Sequence, residues 1–268
     1  MSQLKEDHAL LIEIVREGGA LALSYFHGGV KHWDKGYGDP VSEADHAVDD
    51  LLRQKLLDHR PQYGWLSEET EDDSKRLGCR DVWVVDPIDG TRAFIQQRAE
   101  FTVCAALVRD GRPVAAAVYN PAKQEFFDAV QGGGARLNGE SIQVTSIQNF
   151  EGARLLTGRN LFKNAGPLHK PADVTIHMVN SIAYRMCLVA GGRYDACISL
   201  SGKSDWDIAA AELILTEAGG VNTSSHGQNF VYNRSDPRHK SVISAGPALH
   251  AHVLEFLDTI KRPPGAKW

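Results

Sequence analysis

The stretch that most constrains the fold of this chain runs from Val82 to Phe94, Val-Trp-Val-Val-Asp-Pro-Ile-Asp-Gly-Thr-Arg-Ala-Phe. Val82 to Val85 form an apolar, mostly β-branched run of the kind that makes a buried strand. Asp86-Pro87 ends that run, because proline has no N–H to give to a ladder. Asp89-Gly90 then supplies turn chemistry, so two carboxylates are presented together at a strand end. Thr91 onward reads as a helix start, whose free N–H groups and positive dipole end favour an anion. A cation held by Asp86 and Asp89 beside an anion hole describes a phosphate site. Taken alone, the stretch also has a plainer reading, since Asp-Pro and Asp-Gly are ordinary turn formers and the chain has 34 acidic residues.

The flanking sequence supplies covering elements. Leu4, Leu11, Val15, Ala22 and Phe26 recur at helical spacing from Gln3 to Phe26, with Gly18-Gly19 allowing close approach of another backbone. A polar loop, Gly28 to Pro40, carries Trp33 and Lys35. Ser42 has the chemistry of an N-cap for a second helix that Pro61 ends, with Val48, Leu51, Leu52 and Leu56 as its buried stripe. Asp45, in its first turn, is either a cap partner or a site residue; Asp49 is expected as a solvated or N-terminal helix residue. Tyr63 to Ser67 is a short strand that ends in Glu68-Glu69, so a second strand delivers acids at its exit. Alternation along a strand predicts that only one of that pair faces a shared site.

Phe101 to Val108 and Pro113 to Tyr119 flank Asp110-Gly111, a hairpin signal, and Glu125 to Val130 and Ile142 to Val144 add strands with a turn at Asn138-Gly139. The aperiodic, polar stretch Asn149 to Gly152 places a domain boundary, giving an α+β half over 1–148 and an α/β half over 149–268. The second half alternates strands (154–157, 174–178, 194–199, 241–245) with helices (182–190, 206–218, 249–260). Its first loop holds Arg159 and Lys163, and Pro263-Pro264 ends the fold. Asp205-Trp206-Asp207 opens one of these helices. Either Asp205 is its N-cap and Asp207 complements the dipole, or Asp207 crosses to complete a metal site.

Composition excludes several function classes. A net charge of −5 with scattered Lys and Arg leaves no footprint for a nucleic-acid polymer. Four cysteines without CxxC spacing read as reduced core thiols. Neither a signal-peptide pattern nor a long apolar run is present, so the expectation is a cytoplasmic protein with no membrane partner. Gly202-Lys203-Ser204 fails as a P-loop because Cys197 stands where its first glycine belongs, and Leu137 breaks a dinucleotide fingerprint at Gly132 to Gly134. With no histidine pair on one helix face, the all-oxygen acids point to Mg²⁺.

In order and spacing, the acids resemble the inositol monophosphatase-like family of Mg²⁺-dependent, lithium-sensitive phosphatases. The resemblance is carried by Leu66-Ser67-Glu68-Glu69, by Asp86-Pro87-Ile88-Asp89-Gly90-Thr91, and by Trp206-Asp207 with Glu217-Ala218-Gly219-Gly220. It implies a layered α/β/α/β/α sandwich. It also implies two or three Mg²⁺ per site, held by Glu68, Asp86, the Ile88 carbonyl, Asp89 and Asp207. Gly90 and Thr91 would hold phosphate through backbone N–H groups, and Asp45, Glu68 and Thr91 would form the catalytic set that activates water. The implied partner is a small phosphorylated metabolite, and a homodimer is left open. Glu100-Phe101-Thr102-Val103 and Val118-Tyr119-Asn120-Pro121 resemble the 3′(2′),5′-bisphosphate nucleotidase branch, which makes adenosine 3′,5′-bisphosphate the expected substrate. Arg185 and Lys203 are the candidate substrate cations, with plain surface solvation as their alternative. The competing readings are an inositol monophosphatase and, outside catalysis, an anion- or metal-binding module.

Overall fold

The computed structural model of the protein describes residues 3–36, 38, 40–158, 161–162 and 173–259. Arg159, Lys163, Ile260 and Pro263-Pro264 lie outside the described residues.

Helix α1, Gln3–Gly28, buries Leu11, Ile14, Val15, Ala22 and Phe26 on one face. Gly19 lets that face lie directly on the sheet, for a Cβ there would collide with the Tyr119 ring. Two three-residue strands follow, β1 (His32–Asp34) and β2 (Pro40–Ser42), paired antiparallel. They make a small hairpin where the sequence suggested only a loop. Helix α2, Glu43–His59, starts at Ser42 through a reciprocal capping box with Asp45. The sheet beneath has seven strands in order: β3 (Gly64–Ser67), β4 (Asp81–Asp89), β5 (Thr102–Arg109), β6 (Arg112–Asn120), β7 (Glu125–Val130), β8 (Ala135–Leu137) and β9 (Glu140–Ser141). The β3–β4 pair is parallel and the others are antiparallel. A five-residue helix, α3 (Thr91–Ile95), leaves β4.

The second sheet has order β11-β10-β12-β16-β14. Its strands are β10 (Arg154–Thr157), β11 (Thr175–His177), β12 (Ala196–Ser199), β14 (Val221–Thr223) and β16 (Val242–Ala245); β13 (Lys203–Ser204) and β15 (Arg238–His239) pair separately. Helices α4 (Ile182–Ala190) and α5 (Asp205–Glu217) lie between the two sheets, while α6 (Pro247–Thr259) covers the outer face of the second.

The molecule is thus an α/β/α/β/α sandwich. Three apolar cores glue its layers: α1 and α2 against the first sheet, α4 and α5 against both sheets, and α6 against the second. Apolar residues surround α5, with Ile208, Ala209, Ala210, Ala211, Leu213, Ile214 and Leu215 all buried. A helix sandwiched between sheets has no solvent face to keep polar. Among the described residues no helix is long and apolar enough to cross a membrane.

Two further local expectations change. The strand expected over 142–144 is the two-residue β9 instead. Nor does β4 stop at Asp86: it continues through Pro87 to Asp89. Asp86 pairs with Cys104 and Asp89 with Thr102, so three steps on β4 face two on β5. That extra residue is a β-bulge, where a proline without an N–H is tolerated and side chains are re-aimed.

Candidate active site

The β4 bulge, the exit of β3 and the first turn of α5 converge on one acidic cluster. Asp86, Asp89 and Asp207 each offer a carboxylate oxygen, and these atoms all lie within 4.8 Å of one another. Asp86 is 1% exposed, and neither of its buried oxygens has a hydrogen-bond partner. Asp89 is held from the second half of the chain: Ser181 Oγ donates to its Oδ2 at 2.6 Å and the Ala183 N–H at 2.7 Å. Asp207 caps its own helix, accepting the Ser204 N–H on Oδ2 at 2.5 Å. The cap is therefore Ser204, not Asp205. Asp205 is fully buried, with Oδ1 2.7 Å from His239 Nε2 and Oδ2 accepting the Asn233 N–H.

Burial, reinforced by Glu68, Asp89 and Asp207, pushes the Asp86 carboxyl well above the usual range. Burial likewise raises Asp89, against the opposing hydrogen bonds from Ser181 and Ala183. Glu68 is pushed up to about 8, first by burial and then by Glu69 and Asp207, with Lys35 opposing. Like charges crowded into a low-dielectric cleft resist ionisation unless a cation joins them. An all-oxygen donor set with an unpartnered buried carboxylate fits a hard divalent cation.

Parallel pairing sets Ser67 level with Val85, and the Glu68 N–H continues the ladder to the Val85 carbonyl. Glu68 therefore stands beside Asp86. The β1–β2 hairpin leads into Lys35, whose Nζ reaches Glu68 Oε1 at 3.1 Å and Glu69 Oε1 at 2.8 Å. Strand alternation predicts divergence of that pair, but β3 ends at Ser67 and one ammonium gathers both side chains.

On the other side, Asp45 is 1% exposed. Its Oδ2 accepts the Ser42 N–H at 2.8 Å and the Ser42 hydroxyl, while Oδ1 lies 2.9 Å from Thr91 Oγ1. The same hydroxyl lies 3.0 Å from the Ile88 carbonyl. Gly90 precedes Thr91 at φ +99°, and a Cβ there would sit 2.7 Å from the Glu100 carbonyl oxygen. Only glycine fits that conformation and approach.

These groups enclose a cleft of about 180 Å³ lined by Pro40, Glu68, Asp86, Ile88, Asp89, Gly90, Thr91, Arg92, Asn180 and Asp207. Asp45 meets it through Thr91. Arg185 and Lys203 are not among its lining residues. The Arg185 guanidinium donates to the carbonyls of Val179 and Asn180, and Lys203 Nζ to Ser201 Oγ and the Gly202 carbonyl. Sequence reasoning passed over Arg92, although it directly follows the central hexapeptide, and Asn180 and Ser181, for which no local pattern exists. It also read Asp49 as a solvated or N-terminal helix residue, with no part in the site, whereas Asp49 is 4% exposed. A roomier cleft of about 470 Å³ opens near Phe230, Arg234 and His239, but none of the expected site residues lines it.

Residues 3–262 match the model of the inositol monophosphatase family. An inositol monophosphatase of Dictyostelium discoideum is 32% identical over 264 residues, covering 94% of each chain. The 3′(2′),5′-bisphosphate nucleotidase CysQ of Aggregatibacter actinomycetemcomitans is 31% identical over 234 residues, 84% of this chain and 87% of its own. Among solved structures, the extragenic suppressor protein suhB of Bartonella henselae superposes with a TM-score of 0.81 at 25% identity, covering 93% of this chain and 97% of that one.

Proposed function

This chain belongs to the inositol monophosphatase family of metal-dependent phosphoric monoester hydrolases, and on that premise we propose that it uses Mg²⁺ to hydrolyse adenosine 3′,5′-bisphosphate to AMP and phosphate. The observation that carries the metal chemistry is Asp86, a buried carboxylate with two unpartnered oxygens facing other acids. In this reading two or three Mg²⁺ are held by Glu68, Asp86, the Ile88 carbonyl, Asp89 and Asp207. When bound, such ions lower the pKa of a nucleophilic water and neutralise charge on the phosphoryl and leaving oxygens.

The chain's own groups do the rest. Thr91 Oγ1 orients the water and takes its proton as its own hydrogen passes to Asp45 Oδ1, 2.9 Å away. Burial raises the Asp45 carboxyl, which makes it a better proton acceptor than an exposed aspartate. Backbone N–H groups at Gly90 and Thr91 hold the phosphate, because the first N–H groups of a helix have no partner within it. Ser181 keeps Asp89 turned into the cleft, so the halves 1–148 and 149–268 act as one site.

The substrate reading is supported by the nucleotidase-like sequence around Glu100 and Asn120, by the CysQ relative, and by Arg92 on the cleft wall, where a second phosphate needs a cation. Arg185 adds positive charge that acts on Asp89. An inositol monophosphate is the second reading, favoured by the Dictyostelium relative. A phosphate-release assay with Mg²⁺, comparing the bisphosphate with inositol 1-phosphate, fructose 1,6-bisphosphate and histidinol phosphate, tests this. A clear preference for inositol 1-phosphate overturns the nucleotidase assignment, and no release from any of them overturns the phosphatase reading of the site.

A further inference from the structure

Glu68 lies just past the end of β3, and its N–H, donating to the Val85 carbonyl, makes the last bond of that ladder among the described residues. Residues 68–70 need another anchor, and α2 provides one. Asp49 sits one helical turn after Asp45, so both carboxylates leave the same face of α2. Asp45 turns toward Thr91, and Asp49 turns toward the β3 exit. Its Oδ1 accepts the Ser67 hydroxyl and its Oδ2 the Thr70 hydroxyl at 2.5 Å. Thr70 Oγ1 is itself fixed by the Trp65 Nε1–H at 3.2 Å. Ser67 precedes the Glu68-Glu69 pair and Thr70 follows it, so one buried carboxylate ties both ends of the segment to a helix.

We propose that Asp49 is a positioning residue, which holds Glu68 beside Asp86 by clamping Ser67 and Thr70. The carboxylate suits the task because it is acceptor-only and can take a hydroxyl on each oxygen at once. Asparagine keeps one acceptor and presents an amide where the other hydroxyl points. The clamp predicts a loss in cation affinity, not in chemistry, because Asp49 contacts neither the cleft nor Thr91.

This inference rests on the reading of Glu68 as a cation ligand. Titration calorimetry of Mg²⁺ against the full-length wild type, Asp49→Asn, Thr70→Val and Glu68→Gln tests it, alongside melting curves and the Mg²⁺ dependence of turnover. The expected result is roughly tenfold weaker Mg²⁺ binding in Asp49→Asn, the scale found when partners behind a ligand are removed, and a smaller weakening in Thr70→Val. Turnover at saturating Mg²⁺ should stay within a few-fold of wild type. If Asp49→Asn does not fold, Thr70→Val, which removes a single methyl-sized hydroxyl, carries the comparison. Lower melting temperatures with unchanged Mg²⁺ affinity make Asp49 a purely structural residue and overturn the proposal. Unchanged binding in Glu68→Gln removes the ligand assignment itself, which is a different failure.

Discussion

Ser181 and Asp89, 92 residues apart, share a hydrogen bond of 2.6 Å that joins the two sheets' territories at the acidic cluster. The same Ser181 oxygen accepts the Tyr184 N–H at 2.9 Å, so it caps α4 while orienting a carboxylate on β4. Ser181→Ala should lose both functions. We expect a destabilisation of about 1–2 kcal/mol from the lost cap and the lost bond to a buried charged group, and roughly tenfold weaker Mg²⁺ activation. Chemical denaturation and the Mg²⁺ dependence of activity measure the two effects separately; a variant with full Mg²⁺ sensitivity argues against an orienting role.

Asp89→Asn keeps the shape of the side chain and its bond to Ser181 but removes the charge a cation needs. Turnover should be abolished while the circular dichroism spectrum and the cooperative melt persist. Wild-type-like turnover in this variant would sink the assignment of Asp89 as a cation ligand.

Gly90→Ala places a Cβ on a residue at φ +99° and against the Glu100 carbonyl. Both strain terms act, so a cost of about 1–3 kcal/mol is expected, together with loss of phosphate inhibition as the backbone N–H groups shift. A stable variant inhibited by phosphate as the wild type is would show that this peptide does not hold the anion.

The metal-free cluster makes stability depend on pH in a definite direction. Glu68 is raised from 4.5 to about 8, and Asp86 and Asp89 are also raised by burial. An acid with a raised folded pKa keeps its proton in the folded state after the unfolded chain has released it. The cluster's contribution to the stability of the metal-free protein is therefore greatest below the unfolded values and falls as pH rises from about 4.5 to about 8. Mg²⁺ must displace those protons, so its affinity should rise over the same window. Melting curves with EDTA and with excess Mg²⁺ across that range measure it: the metal-free melting temperature should fall with pH and the Mg²⁺-induced gain should grow. A Mg²⁺-induced gain independent of pH counts against the cluster as the binding site.

Much of this arrangement was legible in the chain itself. The run Val82–Val85 with Asp86 and Asp89 behind it announces a buried strand ending in acids, because strand burial and turn chemistry are both written in neighbouring residues. Ser42 and Asp45 likewise signal a helix start, since a capping box closes within four residues. Glu68 could be suspected because a second strand exit repeats the pattern. Local sequence was less informative where pairing is short or distant. The hairpin β1–β2, with three residues on each side, carries no periodic signal, and its Lys35 finds Glu68 and Glu69 only in three dimensions.

The sequence by itself determined the inventory of elements, the apolar faces that stack them into layers, and the acids available for a cation, because each depends on residues close along the chain. Tertiary structure alone decided which acids meet. The bulge in β4 turns Asp86 and Asp89 to one side, parallel pairing sets Glu68 beside Asp86, and packing of α5 between two sheets brings Asp207 to both. It also decided that Asp49, expected as a solvated or N-terminal helix residue, is buried against Ser67 and Thr70. A helical pattern shows which residues share a face, but whether a carboxylate on that face meets water or two hydroxyls depends on the strand exit packed against it.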